Sequence, residues 1–119
     1  MVLVDTSVWV SHLRETEPLL QSLLLAETVV CHPFIIGELA CGGLGNRPEI
    51  LEHLQALPQA PEVGHQEILT FIDARCLMGR GIGLVDVHLL AAAVLHGAQL
   101  LTQDQRLRAV AVELGISFD

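Results

Sequence analysis

The chain has 119 residues, enough for one compact domain, so we assign residues 1–119 to a single domain. Hydrophobic residues make up 51% of the chain and charged residues only 17%, a composition that excludes a disordered protein. The net charge of −8 argues against a broad basic surface for nucleic acid. All six positive residues are arginines, which excludes chemistry that needs lysine, such as a Walker A phosphate loop.

Apolar runs and turn residues predict alternating strands and helices along the chain. The predicted strands are residues 2–4, 28–31, 98–102 and 116–118, with a short extended piece near 62–64. The predicted helices are residues 7–13, 17–26, 33–40, 48–57, 66–78, 85–96 and 104–114. This alternation indicates an α/β fold of three layers, with a central parallel sheet of about four to five strands and helices on both faces.

Neither a membrane span nor a secretory signal is expected. The longest uncharged apolar run in the most hydrophobic stretch, residues 89–95, is well short of the roughly 18 residues that span a bilayer. The N-terminal apolar stretch has no basic residue ahead of it and ends in Asp5. We therefore expect no membrane association and place the protein in the cytoplasm.

Four of the fourteen acidic residues fall where strands give way to helices. Asp5 ends the first predicted strand, Glu38 lies in the helix after the second, and Asp104 follows the third. Asp86 begins a helix after a glycine-rich loop at residues 79–83. Ligands of a parallel sheet bind beyond the carboxyl ends of its strands, so we expect these acids to meet at one edge.

Carboxylates grouped in this way repel one another unless a cation lies between them. Oxygen ligands favour Mg²⁺ or Mn²⁺ over zinc and leave positions open for water and phosphate. Such a site can activate water for attack on a phosphodiester. Hydrolysis of a nucleic acid is therefore the leading chemistry.

Each of these acids also has a structural explanation. Asp86 and Asp104 stand where acidic residues cap helices, an interaction of about 0.5–2 kcal/mol, and Asp5 could cap the first helix. Glu38 has apolar neighbours, so its charge would need a partner or a metal unless the helix turns it towards solvent.

Four short runs in order along essentially the whole chain carry a family resemblance. They are Asp5-Thr6-Ser7-Val8-Trp9, Gly37-Glu38-Leu39, Gly83-Leu84-Val85-Asp86 and Leu100-Leu101-Thr102-Gln103-Asp104. Together they resemble the motifs of the PIN-domain nucleases, and the match is closest to the VapC-type toxins of bacterial toxin-antitoxin pairs.

The resemblance implies a single PIN-like domain and a Mg²⁺- or Mn²⁺-dependent endoribonuclease that cuts RNA. It also implies a cognate antitoxin that binds and inhibits the enzyme, and a homodimer. The catalytic and metal-binding set that it implies is Asp5, Glu38, Asp86 and Asp104. Hydrogen-bonding support for this set is expected from Thr6, Ser7 and Thr102.

Several residues around this set have two interpretations. Arg80 and Arg106 are candidate phosphate contacts or solvated side chains. Trp9 and Leu20 are candidate antitoxin contacts, although their apolar pattern favours the core. Leu107 stands where many members of the family have an aromatic residue, which bears on the packing of the last helix.

Two other functions fit parts of the sequence. One is a degenerate PIN-like module that binds RNA or protein without cleavage, against which the intact set of four acids argues. The other is an aspartyl-nucleophile phosphohydrolase of the haloacid-dehalogenase type. Such an enzyme usually has a second Asp where Ser7 stands and a downstream lysine, which this chain lacks.

Overall fold

The structure is a computed structural model that describes residues 1–118. In this part of the chain there are three strands, β1 (Val2–Val4), β2 (Val29–Val30) and β3 (Gln99–Leu101). The same residues form seven helices: α1 (Thr6–Arg14), α2 (Pro18–Leu25), α3 (Pro33–Ala40), α4 (Arg47–Ala56), α5 (His65–Arg75), α6 (Leu84–His96) and α7 (Gln105–Glu113). None of these helices is long and apolar enough to cross a membrane.

The three strands form one parallel sheet in the order β2-β1-β3. Leu3 of the central strand lies opposite Val30 on one side and Leu100 on the other. All three residues of β1 are buried, because a central parallel strand is covered on both faces. The carboxyl ends of the strands therefore meet at one edge, and the predicted α/β class is confirmed.

The sheet is smaller than the predicted four to five strands. Within the described chain, residues 116–118 pair with β3 only through an isolated bridge between Leu100 and Ser117. Leu100 N donates to Ile116 O at 2.7 Å and Phe118 N donates to Leu100 O at 2.9 Å. The segment is too short to extend this single bridge into a ladder. The extended piece expected near 62–64 forms no strand, and a bridge joins Cys31 to Gln59 instead.

Helix α6 forms much of the core. Seven consecutive residues of this helix, 87–93, are buried, and three of them are alanines whose small side chains let neighbouring elements approach closely. The helix packs against β3 and α5. Its N-terminal turn carries Asp86, so the most buried helix of the protein fixes the position of that carboxylate.

Most helix ends differ from the prediction by one residue, and the C-terminal end of α5 differs by three. Helix α5 ends at Arg75 rather than at residue 78, because Cys76 adopts a left-handed conformation and Leu77 N donates to Ile72 O. Helix α7 begins after Asp104, which is its N-cap. Leu107 in that helix is completely buried, so it fills the core at the position where an aromatic residue was expected.

Candidate active site

Asp5 lies at the carboxyl end of β1, and the residue is almost completely buried, with an exposed fraction of 6%. Its Oδ1 accepts a hydrogen bond from Thr6 N at 2.8 Å. Its Oδ2 accepts from Ser7 Oγ at 2.9 Å and from Thr102 Oγ1 at 2.7 Å. Three donors compensate the lost hydration of the buried carboxylate and fix its orientation.

Thr102 and Ser7 tie the end of β3 to the end of β1. The Thr102 hydroxyl donates to Asp5 and accepts from Asp104 N at 3.0 Å. Ser7 Oγ accepts from Gln103 N at 3.1 Å. The hydroxyls expected to support the acids therefore do contact them, and they couple Asp5 to the segment that carries Asp104.

Glu38 lies on the exposed side of α3, so this glutamate does not carry the burial penalty that its apolar sequence neighbours suggested. Its Oε1 accepts a hydrogen bond from Thr6 Oγ1 at 2.6 Å. Thr6 follows Asp5 directly, so this bond brings Glu38 from the β2 side of the sheet to the edge where β1 ends.

Asp86 is half-buried in the first turn of α6, where its Oδ2 accepts from Gly83 N at 2.9 Å. Burial raises the pKa of Asp86 above its ordinary value, and the negative charges of three other acids raise it further. The hydrogen bond from Gly83 acts in the opposite direction. The three charges that act on Asp86 are those of Asp5, Asp104 and Glu38.

Asp104 is exposed and caps α7, since its Oδ1 accepts from Leu107 N at 2.9 Å. Capping therefore occurs at Asp5, Asp86 and Asp104, as the structural explanation anticipated. At Asp86 and Asp104 the cap uses one oxygen of the carboxylate. The second oxygen has no hydrogen-bonding partner within residues 1–118, so capping does not exclude binding of a ligand.

The donor set fits a hydrated divalent cation better than a rigid protein cage. Among residues 1–118, no three His, Cys, Asp or Glu side chains are arranged closely enough to hold a metal ion by themselves. Mg²⁺ keeps several waters and binds through one or two carboxylates together with substrate phosphates. Oxygen donors that repel one another at a single sheet edge suit such an ion.

A cavity of about 540 Å³ opens beside Glu38, between α1, α3 and the loop that follows α3. Thr6, Glu38 and Arg14 line it, together with the glycine-rich segment 42–45. Arg14 was not among the site residues predicted from the sequence. Helical spacing places Thr6, Val10 and Arg14 on one face of α1, and this spacing could have indicated the residue.

The two arginines predicted as phosphate contacts differ in their surroundings. Arg80 forms an ion pair with Glu113 at the end of α7. Arg106 lies against the backbone of Gly81, where an added Cβ would stand 2.7 Å from Arg106 Nη1. Arg80 therefore already has a carboxylate partner, although this pair is solvent-exposed, whereas Arg106 has no ion-pair partner among residues 1–118. Both arginines remain predicted phosphate contacts, and the absence of a competing carboxylate favours Arg106.

The structure buries both residues expected to contact an antitoxin. Leu20 is completely buried, which contradicts the prediction for that residue, because α2 turns this side chain into the core. Trp9 is 5% exposed and lines an apolar groove of about 290 Å³ with His12, Leu24 and His53. Within the described chain, the buried indole N–H of Trp9 has no hydrogen-bond acceptor.

A parallel sheet whose carboxyl edge gathers four carboxylates is the arrangement of a PIN domain, and the sequence pattern of that domain matches residues 2–113. The chain therefore belongs to the PIN-domain family. It is 45% identical over 118 residues to Ribonuclease VapC32 from two strains of Mycobacterium tuberculosis, CDC 1551 / Oshkosh and ATCC 25618 / H37Rv. Each alignment covers 98% of this chain and 95% of the relative.

The fold is also similar to that of a solved archaeal protein. The crystal structure of PAE2754 from Pyrobaculum aerophilum superposes with a TM-score of 0.65 and covers 96% of this chain and 94% of the archaeal chain. The two sequences are 17% identical, so this likeness concerns the fold alone.

Proposed function

We propose that the protein is a Mg²⁺- or Mn²⁺-dependent endoribonuclease, the toxin of a toxin-antitoxin pair, with Asp5, Glu38, Asp86 and Asp104 as its catalytic and metal-binding residues. The observation that carries the proposal is the placement of the four acids at one sheet edge, where Thr102 bonds to Asp5 and to the backbone of Asp104 and Thr6 bonds to Glu38. The negative charges of Asp5, Asp104 and Glu38 help to raise the pKa of Asp86, so this residue belongs to the same cluster. The 45% identity to a relative named as a ribonuclease supports RNA as the substrate.

The bound metal would polarise the scissile phosphate and lower the pKa of a water for attack on phosphorus. Residues of this chain provide the geometry for that reaction. The hydroxyls of Ser7 and Thr102 hold the Asp5 carboxylate in one orientation, and Thr6 does the same for Glu38. Preorganised ligands lower the reorganisation that the reaction requires.

The proposed antitoxin would inhibit the enzyme through charge as well as apolar contact. An acidic edge in a protein of net charge −8 favours a partner that inserts an Arg or Lys side chain among the four acids. The groove beside Trp9 offers an apolar surface for the same partner. A homodimer and a cytoplasmic location remain predictions of this proposal.

Neither alternative function gains support from the geometry. A non-cleaving module would have no need for four intact, mutually repelling acids. Enzymes with an aspartyl nucleophile usually have a second Asp two residues after it, and here that position holds Ser7, whose hydroxyl donates a hydrogen bond to the Asp5 carboxylate.

The test is cleavage of RNA by purified protein freed of any partner, with Mg²⁺ or Mn²⁺ and with excess chelator. We expect cleavage only with metal. Asp5→Asn keeps the side-chain volume and a helix-capping oxygen, so it should fold yet lose cleavage. Asp73→Asn, the same change at an exposed position of α5, should cleave like the unmodified protein. Cleavage in chelator, or a fully active Asp5→Asn protein, would refute the proposal.

A further inference from the structure

Positively charged side chains are few in this protein, and most of them already make contacts within the structure. The chain has six arginines against fourteen acids. A protein gains most of its affinity for a nucleic acid from contacts between its cationic side chains and the phosphates. A ribonuclease with so acidic a chain must therefore bind RNA through a few arginines. The contacts that each arginine already makes indicate which of them are available to bind phosphate.

Four of the arginines are engaged elsewhere. Arg47 donates twice to Ala40 O, at 3.2 and 3.0 Å, and closes the C-terminal end of α3. Arg75 lies 5.7 Å from the centre of the Phe71 ring. Arg80 pairs with Glu113, and Arg108 also interacts with another group. Arg14 and Arg106 remain.

Arg14 and Arg106 lie on different sides of Asp5. Because the strand order is β2-β1-β3, the elements that follow β2 and β3 flank the central Asp5. Arg14 lines the cavity on the β2 side, beside Glu38. Arg106 lies on the β3 side, two residues after Asp104 in the first turn of α7.

Gly81 provides the surface on which Arg106 rests. The glycine has a φ of +77°, and a Cβ there would stand 2.7 Å from Nη1 and 2.9 Å from Cδ of Arg106. The bare backbone of this loop thus admits the arginine side chain. The same loop leads to Gly83 and Asp86, so Arg106 bridges the segments that carry Asp86 and Asp104.

We propose that Arg106, seated on Gly81, binds a phosphate of the RNA strand on the β3 side of the acidic edge, next to the phosphate that is cleaved. The inference rests on the proposed ribonuclease function. An exposed guanidinium with no ion-pair partner in residues 1–118 can form a bidentate contact with phosphate. It would offset the repulsion between the RNA and the four carboxylates. Gly81 is a positioning residue in this arrangement.

Gly79 provides a matched control for Gly81. It lies in the same loop with a φ of +70°, and a Cβ there would meet nothing within 4 Å. Gly79→Ala and Gly81→Ala therefore share the strain of an L-residue at positive φ. Only Gly81→Ala displaces Arg106, so the difference between the two variants isolates the contact with the arginine.

The experiment measures binding of a fluorescent single-stranded RNA to the cleavage-deficient Asp5→Asn protein in Mg²⁺ at several salt concentrations. Arg106→Gln should weaken binding about tenfold at low salt and reduce the slope of log affinity against log salt by about 0.7. Arg106→Lys should keep the slope. Arg75→Gln, a control for the loss of one charge, should bind like its parent.

In the same assay, Gly81→Ala should weaken RNA binding more than Gly79→Ala, and the difference should vanish when Arg106→Gln is also present. An unchanged salt slope in Arg106→Gln would overturn the inference. So would a Gly81→Ala effect that persists without Arg106. If the unmodified protein cleaves RNA in either case, the proposed function stands and only the assignment of Arg106 fails. A protein that neither binds nor cleaves RNA would refute both.

Discussion

Thr102→Val tests whether one hydroxyl holds the candidate active site together. The substitution keeps the shape of a buried side chain and removes the group that donates to Asp5 Oδ2 at 2.7 Å and accepts from Asp104 N at 3.0 Å. A hydrogen bond to a charged group contributes about 1.5–3 kcal/mol. Water can replace the partner of the Asp104 amide, because Asp104 is exposed.

We therefore expect Thr102→Val to lower the free energy of unfolding by about 2–3 kcal/mol. For a domain of this size the melting temperature should fall by about 8–12 °C. Thr102→Ser is the matched control, since it keeps the hydroxyl and loses one methyl group, a change of about 0.8 kcal/mol. Urea unfolding and thermal melts, both in chelator, measure these differences.

The same variant should also weaken the site, because Asp5 loses a donor that fixes its orientation. Loss of a residue that supports a metal ligand typically reduces metal affinity or activity by about 10–100-fold. The rise in melting temperature on adding Mg²⁺ should shrink accordingly. Equal stability of the Val and Ser variants, together with equal Mg²⁺ responses, would refute the reasoning.

Two further predictions concern pH. The pKa of Asp86 is raised in the folded state, so its carboxylate destabilises the fold increasingly as pH rises through the interval above its ordinary value of 3.8. Asp86→Asn should therefore raise the melting temperature of metal-free protein at neutral pH, and this gain should disappear below pH 3.8. The variant should also show a smaller rise in melting temperature when Mg²⁺ is added. An unaltered rise would remove Asp86 from the proposed metal site. His32 is completely buried, and burial lowers its pKa from the ordinary value of 6.5, with the nearby His88 lowering it further. The free energy of unfolding should thus decrease as pH falls below 6.5, because the unfolded chain takes up the proton first. His32→Asn keeps an acceptor that caps α3, and its free energy of unfolding should be about 1–3 kcal/mol lower at pH 8. The loss of stability in acid should be shallower in this variant. If urea titrations show an equally steep loss of stability in acid, groups other than His32 cause it.

The four acids could be located from the sequence because their positions follow from local patterns. Asp5 and Asp104 follow short apolar runs whose pattern predicts buried strands, and parallel strands end at one edge. Hydroxyl residues next to these acids were expected to support them, and three of them do form hydrogen bonds to carboxylates. These hydrogen bonds join residues that are neighbours in the sequence or that lie at the same edge of the sheet, so the sequence pattern can indicate them.

The contacts that the sequence analysis missed join distant segments through details of the backbone. The seat of Arg106 depends on the positive φ of Gly81, 25 positions earlier in the chain, and the partner of Arg80 lies on α7. The apolar stripe of α2 predicts a face that packs on the core and a face that docks a partner equally well. Leu20 is buried because of the way α2 packs in the fold, which the stripe alone does not reveal. The predicted number of strands was too high because apolar composition does not reveal how many residues of an extended segment pair with a neighbouring strand.

The position of β1 in the sheet has a consequence for biosynthesis. Asp5 is translated 97 residues before its hydrogen-bond donor Thr102. An N-terminal fragment that ends before β3 has no pairing partner on one side of β1 and lacks both Thr102 and Asp104. Pairing across so long a separation also slows folding. The carboxylate edge therefore assembles only after β3 and Asp104 have been translated, so a nascent chain that ends before β3 has no complete set of four carboxylates.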